Sequence, residues 1–251
     1  MNISHVISAA GGNNTAIIVL EKPLSRKEYE DIGLKIVKES NYSNIEQVGF
    51  LIPTTKHFEM SGGEFCGNAA RSAAFVLSKI LDENQFSFTI SGFDGEVKSF
   101  VIFDKNNQLS AKVSCYFYGL KIKLENKKID SKKFVIVDLG GIVHCVLYDT
   151  FPKISYQQEH IRIITKLDLL SRPAVCVLWL NEVENGLEMD PVVWVKSIDT
   201  FFYETSCGSG SIAASVVSGS NKIIQPTGQV IEVEIDENGV KLISKMEEII
   251  L

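Results

Sequence analysis

One short text occurs twice in this chain. Glu64-Phe65-Cys66-Gly67-Asn68-Ala69-Ala70-Arg71 runs into Ala73-Ala74-Phe75-Val76-Leu77, and Cys207-Gly208-Ser209-Gly210-Ser211 runs into Ile212-Ala213-Ala214-Ser215-Val216-Val217. Each copy places a cysteine and a glycine ahead of an alanine-rich segment that favours helix. A fold that accepts this chain has to supply two equivalent scaffolds, one for each cysteine.

The remaining text divides accordingly. Ile3, Val6 and Ile7 and then Ile17 to Leu20 read as two strands about a turn at Gly11-Gly12-Asn13-Asn14. Ser25 and Glu28 form a capping box for a helix with Tyr29, Ile32, Ile36 and Val37 on one face, ending near Ser40-Asn41. A buried strand over 48–52 stops at Pro53, residues 54–63 connect to the first cysteine, and a helix runs from Asn68 to about Leu81. Alternating segments over 86–90, 96–102 and 109–118 read as strands. The Lys- and Glu-rich stretch 121–133 reads as a linker. The second half repeats the plan with strands over 134–137 and 144–148, a helix over 155–170, strands over 174–180 and 192–195, the Cys207 helix, and strands over 230–235 and 240–251. The expected fold class is α+β, with two similar pseudo-symmetric domains. Their ranges are 1–122, joined by a C-terminal strand 241–251, and 123–240.

Composition removes several function classes. A net charge of −6 with no basic cluster beyond Lys127-Lys128 and Lys132-Lys133 argues against nucleic acid. No apolar run reaches the ~18–20 residues that span a bilayer, and the N-terminal text lacks signal-peptide features. A cytoplasmic protein without a membrane partner is expected. Five cysteines, with no CxxC pair and no His-bearing metal spacing, point away from both a disulfide framework and a metal site. Cys115, Cys145 and Cys176 sit in strand-like text and read as small core residues.

Cys66 and Cys207 differ, because small polar residues follow each. A helix N-terminus offers unpaired N–H groups and positive dipole charge, which favour a thiolate and bind a carboxylate. Gly67 and Gly208 let the backbone approach a ligand closely. Two such half-sites on one amino acid suit proton removal by one thiolate and proton delivery by the other thiol from the opposite face. The expected result is inversion at the α-carbon without a cofactor. A non-catalytic amino-acid-binding module would use the same helix ends only to grip a carboxylate.

These two motifs resemble those of the diaminopimelate epimerase and proline racemase superfamily, the cofactor-independent two-cysteine racemases. Asn13-Asn14 resembles its N-terminal Gly-Asn loop, Gln47 its pre-strand Gln, and His144 the His of its Gly-Asn-Pro-His segment. The resemblance implies two domains, each a sheet or barrel wrapped round a central helix, with the site between them. It also implies catalytic Cys66 and Cys207, with substrate contacts from Asn13, Asn14, Glu46, Gln47, Gly67, Asn68, Gly208 and Ser209.

The departures narrow the substrate. Gly141-Ile142-Val143-His144 and Ala174-Val175-Cys176 lack the amides of diaminopimelate epimerases, and no Glu-Arg-Gly precedes Cys207. A second substrate carboxylate would therefore have no holder. Gly12-Asn13-Asn14-Thr15-Ala16 and the Cys66 motif look most like histidine racemases, PLP-independent enzymes acting on one small amino acid. Glu46, with Asp199 or Glu204 behind it, is then the acceptor for the side chain. Diaminopimelate epimerase, or a proline or hydroxyproline isomerase of the same superfamily, is the alternative activity. A homodimer is the oligomeric expectation.

Overall fold

The computed structural model describes residues 2–38, 45–196 and 200–250. The expected first-helix end at Ser40-Asn41, and Asp199, lie outside the described residues. The chain divides into two compact units: residues 1–120 with 234–251, and residues 121–233.

In the first unit, β1 (His5–Ala9) and β2 (Gly12–Val19) form a hairpin, followed by α1 (Arg26–Lys38), β3 (Gln47–Ile52), β4 (His57–Met60) and α2 (Gly67–Leu81). Then come β5 (Gln85–Ile90), β6 (Val97–Asp104) and β7 (Asn107–Tyr118). The last strand of the chain, Gly239–Glu248, returns to pair with both β7 and β1. The strands β1 to β7 and this returning strand therefore close into an eight-stranded barrel. The centre of that barrel is α2.

Every residue of α2 from Gly67 to Ser78 is buried, on all sides of the helix. A helix enclosed this way meets sheet in every direction, so its surface has to be narrow. The alanines at 69, 70, 73 and 74 are all fully buried and supply that narrowness. Outside the barrel, α1 lays Tyr29 against Phe50, with Ile32 and Ile36 over Val48 and Ile52. Ser25 and Glu28 make the capping box, through Ser25 N–H to Glu28 Oε2 at 2.8 Å and Glu28 N–H to Ser25 Oγ at 3.4 Å.

The second unit opens with β8 (Lys123–Ile129) and β9 (Lys132–Asp138), then β10 (Val143–Tyr148), α3 (Tyr156–Lys166), β11 (Ala174–Val183) and β12 (Gly186–Val195). It continues with β13 (Thr200–Tyr203), α4 (Gly208–Ser218), β14 (Lys222–Ile224) and β15 (Val230–Asp236), along which the chain re-enters the first unit at Glu234. The final strand described above is β16.

The two units share one plan of strand senses. In the first, β1–β2 is antiparallel, β2–β3 parallel across α1, β3–β4 antiparallel and β4–β5 parallel across α2. In the second, β9–β10, β10–β11 across α3, β11–β12, and β12–β14 across α4 repeat those senses in that order. The duplicated text thus corresponds to duplicated structure. One sheet face of the second unit packs Trp179, Val177 and Cys145 under Ile163 and Ile164 of α3. The opposite face carries His144 and its register partner Cys176 towards α4.

Several expectations need correction. Residues 54–63 are not a plain connection, because they contain a single helical turn and β4, a strand too short to show in the text. Residues 121–133 are not a linker but the β8–β9 hairpin. The lysines of β8 face solvent along a sheet edge, where charge deters unwanted pairing. The first turn is Ala10-Gly11, both at positive φ, and Gly12, Asn13 and Asn14 already belong to β2. A register shift beside Ala9 lets Asn13 take φ +49 inside that strand. The helix expected over 155–170 is shorter, at Tyr156–Lys166.

Candidate active site

Cys66 and Cys207 are the N-cap residues of α2 and α4, and their backbones are near copies. Cys66 has φ −137 and ψ 111; Cys207 has φ −140 and ψ 110. Each sulfur accepts from the N–H three residues on, Ala69 N at 3.4 Å and Gly210 N at 3.2 Å. A thiol in the N-cap position takes one of the orphan donors of the first turn and leaves the others for a ligand. A Cβ on Gly210 would sit 3.0 Å from Cys207 Sγ, so glycine there lets the sulfur lie close to the helix end.

The Cys66 half-site is one connected network. Cys66 Sγ–H donates to Gln47 Oε1 at 3.4 Å. Gln47 Nε2 donates to Asn13 Oδ1 at 2.6 Å and Thr15 Oγ1 at 2.7 Å. Glu46 Oε1 accepts from Asn13 N–H at 3.1 Å, and Glu46 Oε2 from Asn13 Nδ2 at 3.5 Å. Asn14 joins through its carbonyl, which accepts from Glu46 N–H at 3.1 Å. Six residues separated by up to 53 positions are thus brought together by the bulge in β2, the start of β3 and the cap of α2.

Asn68, in the first turn of α2, is buried, and its Oδ1 accepts from Arg71 Nη2 one turn on. That contact fixes the amide inside the barrel. Approach to the motif is set by a turn: Met60 N–H donates to Ser91 Oγ at 2.8 Å, and Ser91 Oγ donates to Glu64 O at 3.3 Å. Next to it, Gly92 has φ +70 and runs against Phe65, where a Cβ would come within 2.1 Å of the Phe65 nitrogen. Phe65 is held in turn between Phe93 and Phe117.

The Cys207 half-site is built differently. Cys207 N–H donates to Gln225 Oε1 at 2.9 Å, and Gln225 Nε2 donates to Ser211 Oγ at 3.1 Å. Ser211 Oγ–H donates back to the Cys207 carbonyl at 2.7 Å. Cys207 Sγ lies 3.6 Å from Ser209 Oγ, which lies 3.2 Å from His144 Nε2. Burial pushes the Cys207 thiol well above its ordinary range; the Glu204 carboxylate and Cys176 add to the shift, while Ser209 opposes it. The helix end alone would lower this pKa; Cys207 is 2% exposed, and its desolvation acts in the opposite direction. Burial likewise pushes His144 down to about 4, against the Val137 backbone and the Asp138 charge, so the ring is neutral at pH 7.

The three remaining cysteines are fully buried. Desolvation raises Cys115 to about 12 and Cys176 well above its usual value, which keeps both unreactive. Glu204, expected behind Glu46 as a side-chain acceptor, belongs to the surroundings of Cys207. Sequence reasoning missed Gln225 and the pairing of His144 with Ser209. Gln225 follows β14 and Ser209 lies in α4, so both contacts come from tertiary packing, for which local text carries no signal.

The family model described as the histidine racemase CntK N-terminal domain matches residues 5–247. A histidine racemase of Fusobacterium nucleatum subsp. nucleatum is 30% identical over 88% of this chain and 85% of its own length. Among solved structures, a predicted epimerase from Pseudomonas aeruginosa has the same fold, with a TM-score of 0.66 and 12% identity over 98% of this chain and 96% of that one. A probable proline racemase from Agrobacterium radiobacter, with bound carbonate, gives a TM-score of 0.60 and 11% identity over 98% and 90%.

Proposed function

The chain belongs to the histidine racemase family, and from that premise we propose that it inverts the α-carbon of free histidine by a two-base thiolate/thiol mechanism. One observation carries the reading. Two cysteines cap two helix N-termini with the same backbone geometry and the same sulfur-to-amide contact. The substrate carboxylate is an acceptor for the first-turn N–H groups at Gly67 and Asn68 and at Gly208 and Ser209. Charge that develops on the carboxylate as the α-proton leaves is stabilised by those donors.

In each direction one sulfur removes the α-proton and the other returns a proton to the opposite face. The buried Cys207 rests as a thiol, which suits it to deliver the proton when Cys66 is the base. For the reverse direction Cys207 has to lose its proton before substrate is turned over. Glu46, held by two contacts from Asn13, is the acceptor proposed for the imidazole N–H of the substrate. The same reading carries a cytoplasmic location and a homodimer. Among the described residues no helix is long and apolar enough to cross a membrane.

The test is incubation of the purified protein with L-histidine in D2O, followed by chiral chromatography and mass spectrometry. D-histidine should appear carrying one α-deuterium. Cys66→Ser and Cys207→Ser should each slow inversion by about 10²–10⁴-fold, the range for loss of a positioned acid or base. Full inversion by either variant would sink the two-base scheme. Binding of histidine with no loss of optical rotation would support a carboxylate-gripping module instead.

A further inference from the structure

The helix that carries Cys207 begins without a local acceptor for its N-cap N–H. In a capping box, the side chain three residues past the cap folds back to accept that N–H. Here the residue in that place is Gly210, which has no side chain to reach back. The acceptor comes instead from 18 positions on, where Gln225 Oε1 accepts from Cys207 N–H at 2.9 Å. Gln225 Nε2 donates to Ser211 Oγ at 3.1 Å, and Ser211 O–H donates to the Cys207 carbonyl at 2.7 Å. Both sides of the Cys207 backbone are therefore tied to one amide, the N–H directly and the carbonyl through Ser211.

That amide has a rigid mount. Gln225 opens the turn Gln225-Pro226-Thr227-Gly228 between β14 and β15. Gly228 N–H closes the turn on the Gln225 carbonyl at 2.8 Å, and Gln225 N–H donates to the Gln229 carbonyl at 2.8 Å. Pro226 presets φ at the second position, and Gly228 takes φ +80, which favours glycine. A further bond from Gln225 Nε2 to the Ile223 carbonyl at 3.0 Å fixes which end of the amide faces Cys207.

We propose that Gln225 is the positioning residue that holds the Cys207 sulfur in line for proton transfer at its face of the substrate. This deepens the racemase reading and rests on it. The contacts with Gly210 N–H, Ser209 and Glu204 act on the sulfur. Gln225 and Ser211 act on the backbone from which the side chain departs. All three residues of this ring are buried, so water does not replace a lost bond. Without the amide the Cys207 peptide turns towards another acceptor, and a displacement of about 1 Å costs about 10²-fold in rate. The N–H groups of Gly208 and Ser209 remain in the first turn, so the grip on the carboxylate is kept. In the first unit Gln47 takes the Cys66 sulfur itself, so loss of Gln225 unbalances the two cysteines. After Cys66 removes an α-proton, its thiol can exchange with solvent and return deuterium to the same face. Alternatively Cys207 delivers a deuteron to the opposite face. Displacing Cys207 slows only the second outcome.

The experiment incubates full-length Gln225→Leu with each enantiomer of histidine in D2O. It reads the ratio of deuterium uptake in the recovered starting enantiomer to inversion. For one enantiomer that ratio should rise about tenfold or more, with inversion slowed by about 10²-fold. The ratio does not depend on how much of the protein is folded, so lost stability alone does not move it. Amide hydrogen exchange should find the Cys207 N–H protected in the wild-type protein. In Gln225→Leu that protection should fall about tenfold or more, with Ala213 and Ala214 of α4 unchanged. Ser211→Ala cuts the link to the Cys207 carbonyl and should raise the same ratio. The double variant should go no higher than Gln225→Leu alone, because the two side chains act as one unit. Exchange and inversion that fall together at a wild-type ratio would overturn the proposal. So would a Cys207 amide that exchanges freely in the wild-type protein. If Gln225→Leu does not fold, the ratio in Ser211→Ala decides. Failure of the wild-type protein to exchange the α-proton of histidine would instead remove the racemase reading, and amide exchange would still decide whether Gln225 holds Cys207.

Discussion

Gln47 and Cys176 stand at the same position in the two units, each on a strand that runs parallel to its neighbour across a surface helix. One presents an amide to Cys66, the other an unreactive thiol on the helix face near Cys207. The duplicated frame is therefore conserved between the halves while the polar groups on it have diverged. The proposed two-base scheme gives a reason for this, since in it the two sulfurs act on opposite faces of an asymmetric substrate.

Gln47 is the link between Cys66 and the Asn13–Glu46 pair. Gln47→Ala removes an acceptor for Cys66 and a donor for both Asn13 and Thr15. Three side chains lose a partner, at about 1–3 kcal/mol for each one left buried and unsatisfied. Steady-state kinetics with both enantiomers of histidine should show kcat/KM reduced by at least tenfold. Gln47→Glu tests electrostatics at nearly constant shape. A second negative charge opposes the Cys66 thiolate, so the acid limb of the rate profile should move to higher pH. An unchanged profile would show that Gln47 only fills space.

Cys207 gives a complementary chemical test. With its thiol pushed well up by burial and by Glu204, alkylation by iodoacetamide should be slow at pH 7 and still rising above pH 9. Glu204→Gln removes the nearby negative charge and should shift that rise to lower pH. Peptide mass mapping separates Cys207 from the other four thiols. Rapid modification at pH 7 would contradict the buried, protonated sulfur.

The duplicated helices were legible because their signals are local: a cysteine cap, a glycine, then alanines, whose size in α2 suits a helix inside a barrel. The capping box of α1 was legible for the same reason. β4, β13 and β14 were not, since three or four residues show no periodicity of their own and exist by pairing with distant strands. β8 was misread because a lysine-rich edge strand has the composition of a linker. Asn13, Glu46 and Gln47 could be named from family resemblance, yet their mutual hydrogen bonds required the Asn13 bulge. The Ser209–His144 contact spans 65 positions and comes from packing alone.

Fit inside the barrel can be tested at α2. Ala74 is fully exposed to neighbours and closed to solvent, at 0% accessibility. Ala74→Leu adds three methyl or methine carbons where the sheet leaves no room, and overpacking of this kind costs about 1–3 kcal/mol. Chemical denaturation should show that loss. Gly92→Ala should be costly for another reason: it forces a side chain at φ +70 into the Phe65 backbone. The left-handed conformation alone costs about 1–2 kcal/mol, so the total loss should exceed that. Stability equal to wild type for either variant would refute the packing described.

Two buried histidines make the second unit acid-sensitive. His160 sits in α3 with its Nε2 3.2 Å from the Val175 carbonyl and 3.1 Å from the Val192 carbonyl, tying the helix to β11 and β12. Its ring packs edge-on against Phe201. Burial pushes its pKa down to about 4, as it does for His144. Both rings are therefore neutral when folded but take a proton near pH 6.5 when unfolded. Between those values the unfolded state binds more protons, so stability is fully present above pH 6.5 and is lost as pH falls towards 4. Linkage gives about 2 kcal/mol lost per histidine on going from pH 8 to pH 5. Denaturant titrations at the two pH values should show roughly twice that for the wild-type chain. His160→Gln keeps a donor for the two carbonyls but removes the titrating ring, and should flatten the dependence by about half. A wild-type chain equally stable at both pH values would mean that neither ring is buried neutral.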